Sequence, residues 1–311
     1  MKMKTLKQIF ILTTVVWFSS CDDQIYPELE DAPEIVVIDA WINNKAEDQI
    51  VNVTRTQPYF ENTESKGIAG AEVFIIDNEG TRFDFVEGDN GAYTWAYTTE
   101  TFGAVGNSYT LTVNVEGKTY TSTSAMNRVP AVDSVTFEFN EKDTFIQEDY
   151  YLAQFWSRDP VGFGDTYWIK SYKNEEFLSK PGEINIAWDA GFSAGGAIDG
   201  LIFIPPIRES INPYDEKEDE EDVFVSPFSD GDSIYVEIYS ITHAAHNFLG
   251  QLGVQTDRPG GFAALFDTPL SNIPTNITNT TDDELVLGFF CVSAVEGNGA
   301  RLDTSKVPMT P

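Results

Sequence analysis

Tyr109-Thr110-Leu111-Thr112-Val113-Asn114-Val115, closed by Glu116-Gly117, decides the fold. Apolar and polar residues alternate one for one, which puts all apolar side chains on one face of an extended chain, as in a half-buried antiparallel strand. Gly117 supplies a turn, and Lys118 to Ser122 leads back. Working outward, Val73 to Ile76 and Phe83 to Val86 are β-rich runs separated by Asp77-Asn78-Glu79-Gly80, a type I turn signature. Tyr93, Trp95 and Tyr97 repeat the alternation after Asp89-Asn90-Gly91. Short strands at this spacing, with no helical period between them, predict an all-β chain opening on an immunoglobulin-like or transthyretin-like β-sandwich over residues 35–128.

Val129-Pro130 marks a boundary, and residues 129–311 read as a second, mostly β domain with longer connections. Strand-like runs recur at Val135 to Phe139, Tyr150 to Trp156, Tyr167 to Tyr172, Leu201 to Ile204, Ile234 to Ile241 and Leu285 to Val292. One short helix is legible: Ala245, Phe248, Leu249 and Leu252 form a stripe, with Thr242 as the start cap and Gly253 at the end. Two long loops, about 180–197 and 256–283, are rich in Gly, Pro, Asn and Thr, and loops of that length are usually functional or mobile.

The N-terminus carries an address. Lys2, Lys4 and Lys7 precede an apolar run from Ile9 to Phe18, then Ser19, Ser20 and Cys21. That order is a secretory signal peptide over residues 1–20. Ten apolar residues are half of the ~20 needed to span a bilayer as a helix, which argues against a permanent transmembrane anchor. Phe18-Ser19-Ser20-Cys21 is similar to a lipobox, where the thiol carries diacylglycerol, and several acyl chains together give stable anchoring. Residues 21–34, with Pro27 and Pro33, read as the lipidated cysteine and an acidic tether, whose thirteen residues after Cys21 extend to roughly 45 Å.

Charge narrows the partners. The formal charge of −31 falls to −34 once the three lysines of residues 1–20 are removed, so nucleic acid and anionic headgroups are repelled. Cys291 is then without a disulfide partner and reads as a buried small hydrophobe. Candidate chemistry is thin. His243 and His246 sit at i, i+3 on the helix but face away from its apolar stripe, without a third ligand, so neither a metal pair nor a nucleophilic triad is expected. The acidic run 215–222 lacks the spacing of a defined Ca²⁺ loop and reads as a solvated loop. No catalytic residue, metal site or cofactor is called for. The better lead is a set of aromatics in Gly-flanked loops, Trp188, Phe192, Phe262 and Phe266, suited to an interface.

Gly70-Ala71-Glu72-Val73, Tyr109 to Val113, Gly117 to Ser122, Val132-Asp133-Ser134-Val135, Asp232-Ser233-Ile234 and Leu287-Gly288-Phe289-Phe290, together with Cys21, give a combined resemblance. The chain resembles a Bacteroidota outer-membrane lipoprotein family catalogued as a domain of unknown function. The resemblance implies a non-enzymatic accessory lipoprotein of a TonB-dependent transporter, lipid-anchored in the outer membrane and facing the cell surface. Asp22 and Asp23 are similar to the surface-export signal of such lipoproteins, and Ser134 and Ser233 match their O-glycosylation pattern. A lipoprotein subunit of an outer-membrane assembly or secretion machine is the alternative, with a surface enzyme or adhesin third.

Overall fold

The computed structural model describes residues 33–308 except 59–60, 62, 143–145, 147, 196–197, 214–225, 259–268 and 270. The strands of the first half are β1 (Val36–Asn43), β2 (Gln49–Arg55), β3 (Glu72–Asp77), β4 (Arg82–Glu87), β5 (Ala92–Trp95), β6 (Ser108–Val115) and β7 (Lys118–Ala125). The alternation of Tyr109 to Val115 is realised in β6, whose odd-numbered residues are buried. Glu116 and Gly117 both adopt positive φ, 53° and 78°, which gives the two-residue turn that suits the twist of a tight hairpin to β7. The Asp77 carboxylate accepts from the backbone N–H groups of Glu79 and Thr81, fixing the β3–β4 turn.

β14 (Thr278–Asn279) and β15 (Val286–Ser293) join this same layer from the far end of the sequence. The nine-stranded order is β14-β7-β6-β3-β4-β5-β2-β1-β15, with β1 and β15 parallel over eight residue pairs. The sheet curls so that its ends meet. Val292 N–H donates to Ser124 Oγ at 3.0 Å, and Asn276 exchanges two hydrogen bonds with the Phe290 backbone. This sandwich-like wrap closes over one apolar core that includes Ile38, Val53, Ile75, Phe102, Leu111 and Phe290. Buried Tyr93 and Tyr109 are tolerated because each hydroxyl finds backbone partners, Ile68 and Ala71 for Tyr93 and Ala104 for Tyr109.

The second half contributes β8 (Val132–Asn140) and β9 (Tyr150–Ser157), paired as a hairpin, and a sheet ordered β11-β10-β13-β16. Its members are β10 (Thr166–Lys173), β11 (Glu176–Phe177), β13 (Ser233–Ile241) and β16 (Val295–Arg301), and β12 (Asn185–Trp188) also pairs with β10. The long helix His243–Thr256 is capped by Thr242 Oγ1, which accepts from Ala245 N–H. Ala245 and Leu249 are buried, and Phe248 and Leu252 pack beside them, as the stripe requires. The helix continues past Gly253 to Thr256, where that residue was expected to end it. Gly253 O accepts from Asp257 N–H, and packing of Leu252 outweighs the glycine's lower propensity. A second short helix, Pro205–Glu209, starts on two prolines whose missing N–H groups cost nothing at that position. The chain is all-β in class, and among the described residues no helix is long and apolar enough to cross a membrane.

Between the curled sheet and the β10–β13 sheet lies an aromatic and charged seam. Trp41 stacks on Phe289 at 5.6 Å and meets Trp168 edge-on at 5.1 Å. Glu237, 4% exposed, accepts from both Tyr239 OH (2.8 Å) and Tyr172 OH (3.1 Å) and pairs with Lys45 at 2.8 Å. Lys170 places its ammonium over the rings of Trp168 (3.9 Å) and Tyr239 (4.2 Å). Burial drives the Lys170 amine down to about 8 against the opposing pull of Glu237. An unfolded lysine holds its proton to about pH 10.4, so between pH 8 and 10 the unfolded state binds more protons and stability rises with pH. Urea titrations across that interval are expected to show the rise in the wild type and its absence in Lys170→Met.

Candidate functional site

Three loops meet beside the N-terminus of the long helix. The first follows β9 (residues 158–165), the second follows β12 (189–195) and the third spans residues 198–204. Carboxylates bind them together through backbone N–H groups. Asp189, at positive φ of 49°, accepts from Gly164 N–H at 2.8 Å and Asp165 N–H at 3.0 Å. Asp199 accepts from Gly162 N–H at 2.7 Å, and Asp159 from Gly200 N–H at 3.1 Å and Tyr167 OH at 2.7 Å. Burial raises the Asp159 carboxyl above its ordinary range, and burial with the adjoining Asp159 raises the Tyr167 phenol. Arg128 completes the first loop by donating to the carbonyls of Pro160, Val161 and Gly162 and to the Asp165 carboxylate.

The ligating oxygens of Asp159, Asp189 and Asp199 lie within 4.8 Å of one another. Hard oxygen ligands at that separation suit a divalent cation such as Ca²⁺. Each carboxylate already accepts from at least one N–H or O–H, so the cluster also works as the knot that holds the loops.

Trp188 is the last residue of β12, half-buried, where the sequence placed it in a loop. Its indole stacks on His243 at 4.3 Å and meets His246 edge-on at 5.5 Å. His243 Nε2 contacts Gly164 O at 2.6 Å and therefore donates, which links the helix to the first loop. Both histidines engage Trp188; His243 is exposed, as expected of a solvent-facing position, and His246 is partly buried, where it too was expected to face solvent. The helix turn that carries them packs against the end of β12. Both His246 ring nitrogens are shielded without a well-formed hydrogen bond, and desolvation followed by His243 lowers its pKa. A recess of about 350 Å³ opens alongside, lined by His246, Asn247, Gly250, Gln251, Val254 and Gln255.

Phe192, three residues after the turn at Asp189, is 57% exposed. The two aromatics therefore behave differently. Trp188→Ala is expected to cost about 3 kcal/mol of folding stability, the low end for removing a packed indole. Phe192→Ala should stay within about 0.5 kcal/mol, as for an exposed side chain. Chemical denaturation of both variants checks the contrast.

Ser134 is half-buried beside a register shift in β8, and Ser233 opens β13 with its N–H donated to Asn174 Oδ1. Cys21, Asp22, Asp23, Phe262, Phe266 and the acidic run 215–222 lie outside the described residues. Sequence reasoning missed the carboxylate knot. Its trace is the string Asp159-Pro160-Val161-Gly162-Phe163-Gly164-Asp165, where Gly162 and Gly164 adopt positive φ between the acids.

No curated protein matches the chain. The model of the family described as Domain of unknown function (DUF4249) matches residues 22–297, nearly all of the chain beyond the signal-like segment. The chain belongs to this domain-of-unknown-function family.

Proposed function

We propose that the protein is a non-enzymatic outer-membrane lipoprotein, anchored through acylated Cys21 and facing the cell surface, that serves as an accessory subunit of a TonB-dependent transporter in substrate capture or gating. The observation that carries this reading is Phe18-Ser19-Ser20-Cys21 behind a lysine-flanked apolar run, followed by a tether of roughly 45 Å reach. It is supported by the loop arrangement, where an exposed aromatic stands on a rigid base of cross-tied loops, the setting in which binding residues concentrate. Both histidines are occupied with Trp188 and Gly164, and neither partners a serine or cysteine nucleophile among the contacts of the described residues.

Affinity purification from detergent-solubilised membranes of the native host tests it. A TonB-dependent barrel recovered in stoichiometric amount is the expected result. Recovery of an assembly or secretion component in its place would overturn the transporter role in favour of the biogenesis alternative. Orientation is tested separately by protease shaving of intact cells: replacing Asp22 and Asp23 with alanine is expected to protect the protein, and unchanged access would remove the acids as an address.

A further inference from the structure

Lys170 stands in the middle of β10, in the seam and apart from the loop site. Alternation along β10 puts Trp168, Lys170 and Tyr172 on one face, and the register sets Glu237 of β13 directly opposite Lys170. That carboxylate is committed elsewhere. One oxygen accepts from Tyr172 OH and Tyr239 OH, and the other pairs with Lys45. Among the described residues no carboxylate comes within 4 Å of the Lys170 ammonium and no acceptor takes its N–H groups. It meets ring faces instead, those of Trp168 and Tyr239 closely and that of Phe177 at 5.7 Å.

The amine is nonetheless within reach of solvent. Lys170 is half-buried, and Phe177, the outer ring, is 38% exposed on the two-residue strand β11. Asp39 shares a face of β1 with Trp41, which meets Trp168 of β10. Its side chain is open to solvent, yet burial raises its carboxyl against the pull of Trp41 and Lys170. An exposed group that is still desolvated stands in a concavity, so a cleft opens where β1 faces β10.

The walls of this cleft choose the ligand. An anion would meet Asp39, Glu47 and Glu237, and a cation would meet Lys170 and Lys45. An uncharged compound fits, with its carbon body against the rings. A lysine amine desolvated among apolar groups is suited to Schiff-base chemistry with carbonyl compounds. An aldehyde carbon, which carries a hydrogen, lets a half-buried amine approach more closely than a ketone carbon does.

We propose that Lys170 captures small uncharged aldehydes in this cleft as a reversible imine. Its nitrogen lone pair bonds to the carbonyl carbon, the C=O π pair moves to oxygen, and one N–H proton passes to that oxygen. The carbinolamine C–O bond then breaks, the hydroxyl leaving with the second N–H proton as water while C=N forms. One amine and one aldehyde give one imine and one water, with no change of redox state. Nothing in this step depends on the transporter partnership.

Full-length protein from solubilised membranes is treated with limiting butyraldehyde and sodium cyanoborohydride. Peptide mass spectrometry then gives the alkylation of Lys170 relative to Lys66 and Lys142, both exposed. At pH 7.5 an amine titrating at about 8 is roughly one quarter neutral, against about one part in a thousand for an ordinary lysine. Nucleophilicity falls with basicity and takes back part of that advantage, so Lys170 is expected to react at least about tenfold faster than either reference. The ratio should fall roughly thirtyfold between pH 8 and 10, where only the references still gain neutral amine. The groups that set this titration are Asp39 on β1, Lys45 and Glu47 after it, Glu237 and Tyr239 on β13 and Tyr172 on β10.

Unfolding in urea should erase the preference, and dilution without the reductant should return unmodified protein. Lys170→Arg, which keeps the charge, should lose the fast phase of aldehyde uptake while retaining its circular dichroism. A ratio near one at pH 7.5, or one that does not change between pH 8 and 10, would overturn the capture site and leave Lys170 a structural cation. A fast phase that survives in folded Lys170→Arg would overturn it by assigning the reactive amine elsewhere.

Discussion

Gly288→Val is expected to prevent the protein from reaching a stable fold, at a cost above about 4 kcal/mol, which places it among the severe single substitutions. Gly288 lies inside β15 at φ +95°, a conformation that side chains with a Cβ rarely adopt. A Cβ there would stand 2.0 Å from Ile38 O and 2.6 Å from Ile38 C. Those atoms belong to the backbone of β1, which pairs with β15 in parallel from Val36–Val286 to Asn43–Ser293, so no side chain can swing aside. The strands would have to separate and expose Phe290 and Val292, both fully buried. Gly80→Ala is the matched control, since Gly80 also has positive φ (90°) but has nothing within 4 Å of an added Cβ. It should cost only about 1 kcal/mol, the conformational penalty alone. Urea denaturation of the two variants separates clash from conformation.

Glu237→Ala is expected to destabilise by about 3–5 kcal/mol, because it removes a buried anion that serves four partners in the seam. Lys45 would keep only its longer pair with Glu47, at 3.3 Å, Lys170 would lose the largest opposite charge acting on it, and the Tyr172 and Tyr239 hydroxyls would lose their common acceptor. The loss should be less than additive with Lys170→Met, since the lysine is unfavourable only while it remains charged and unpaired. A double-mutant cycle by chemical denaturation at pH 7 measures the coupling, and equal additive losses would show that the two side chains do not interact.

How much of this was legible in the sequence follows from how local each signal is. Tyr109 to Val115 announces its strand, and Glu116-Gly117 its hairpin, because alternation and positive φ are written into neighbouring residues. The helix stripe from Ala245 to Leu252 is legible for the same reason. The pairing of β15 with β1 is not. Phe289, Phe290, Cys291 and Val292 are all buried, so the run carries no alternation to say which layer it joins. The loop knot is silent too. Its bonds join Asp189 to Gly164 and Asp199 to Gly162 across 25 and 37 residues, and each rests on one carboxylate among fifty acids. Trp188 and Phe192 look alike in sequence, four residues apart in Gly-flanked polar surroundings. Only the arrival of His243 and His246 from another element distinguishes a stacked indole from an exposed ring.

The proposal that matters most is that the chain acts from a lipid anchor at Cys21, because the tether, the surface address and the membrane partner all depend on it. Mass spectrometry of the N-terminal peptide from native membranes tests it most directly. The expected species begins at Cys21 and carries the mass of its acyl chains, and it disappears in Cys21→Ala. A mature chain beginning at any other residue, or an unmodified Cys21 in the membrane fraction, would contradict it.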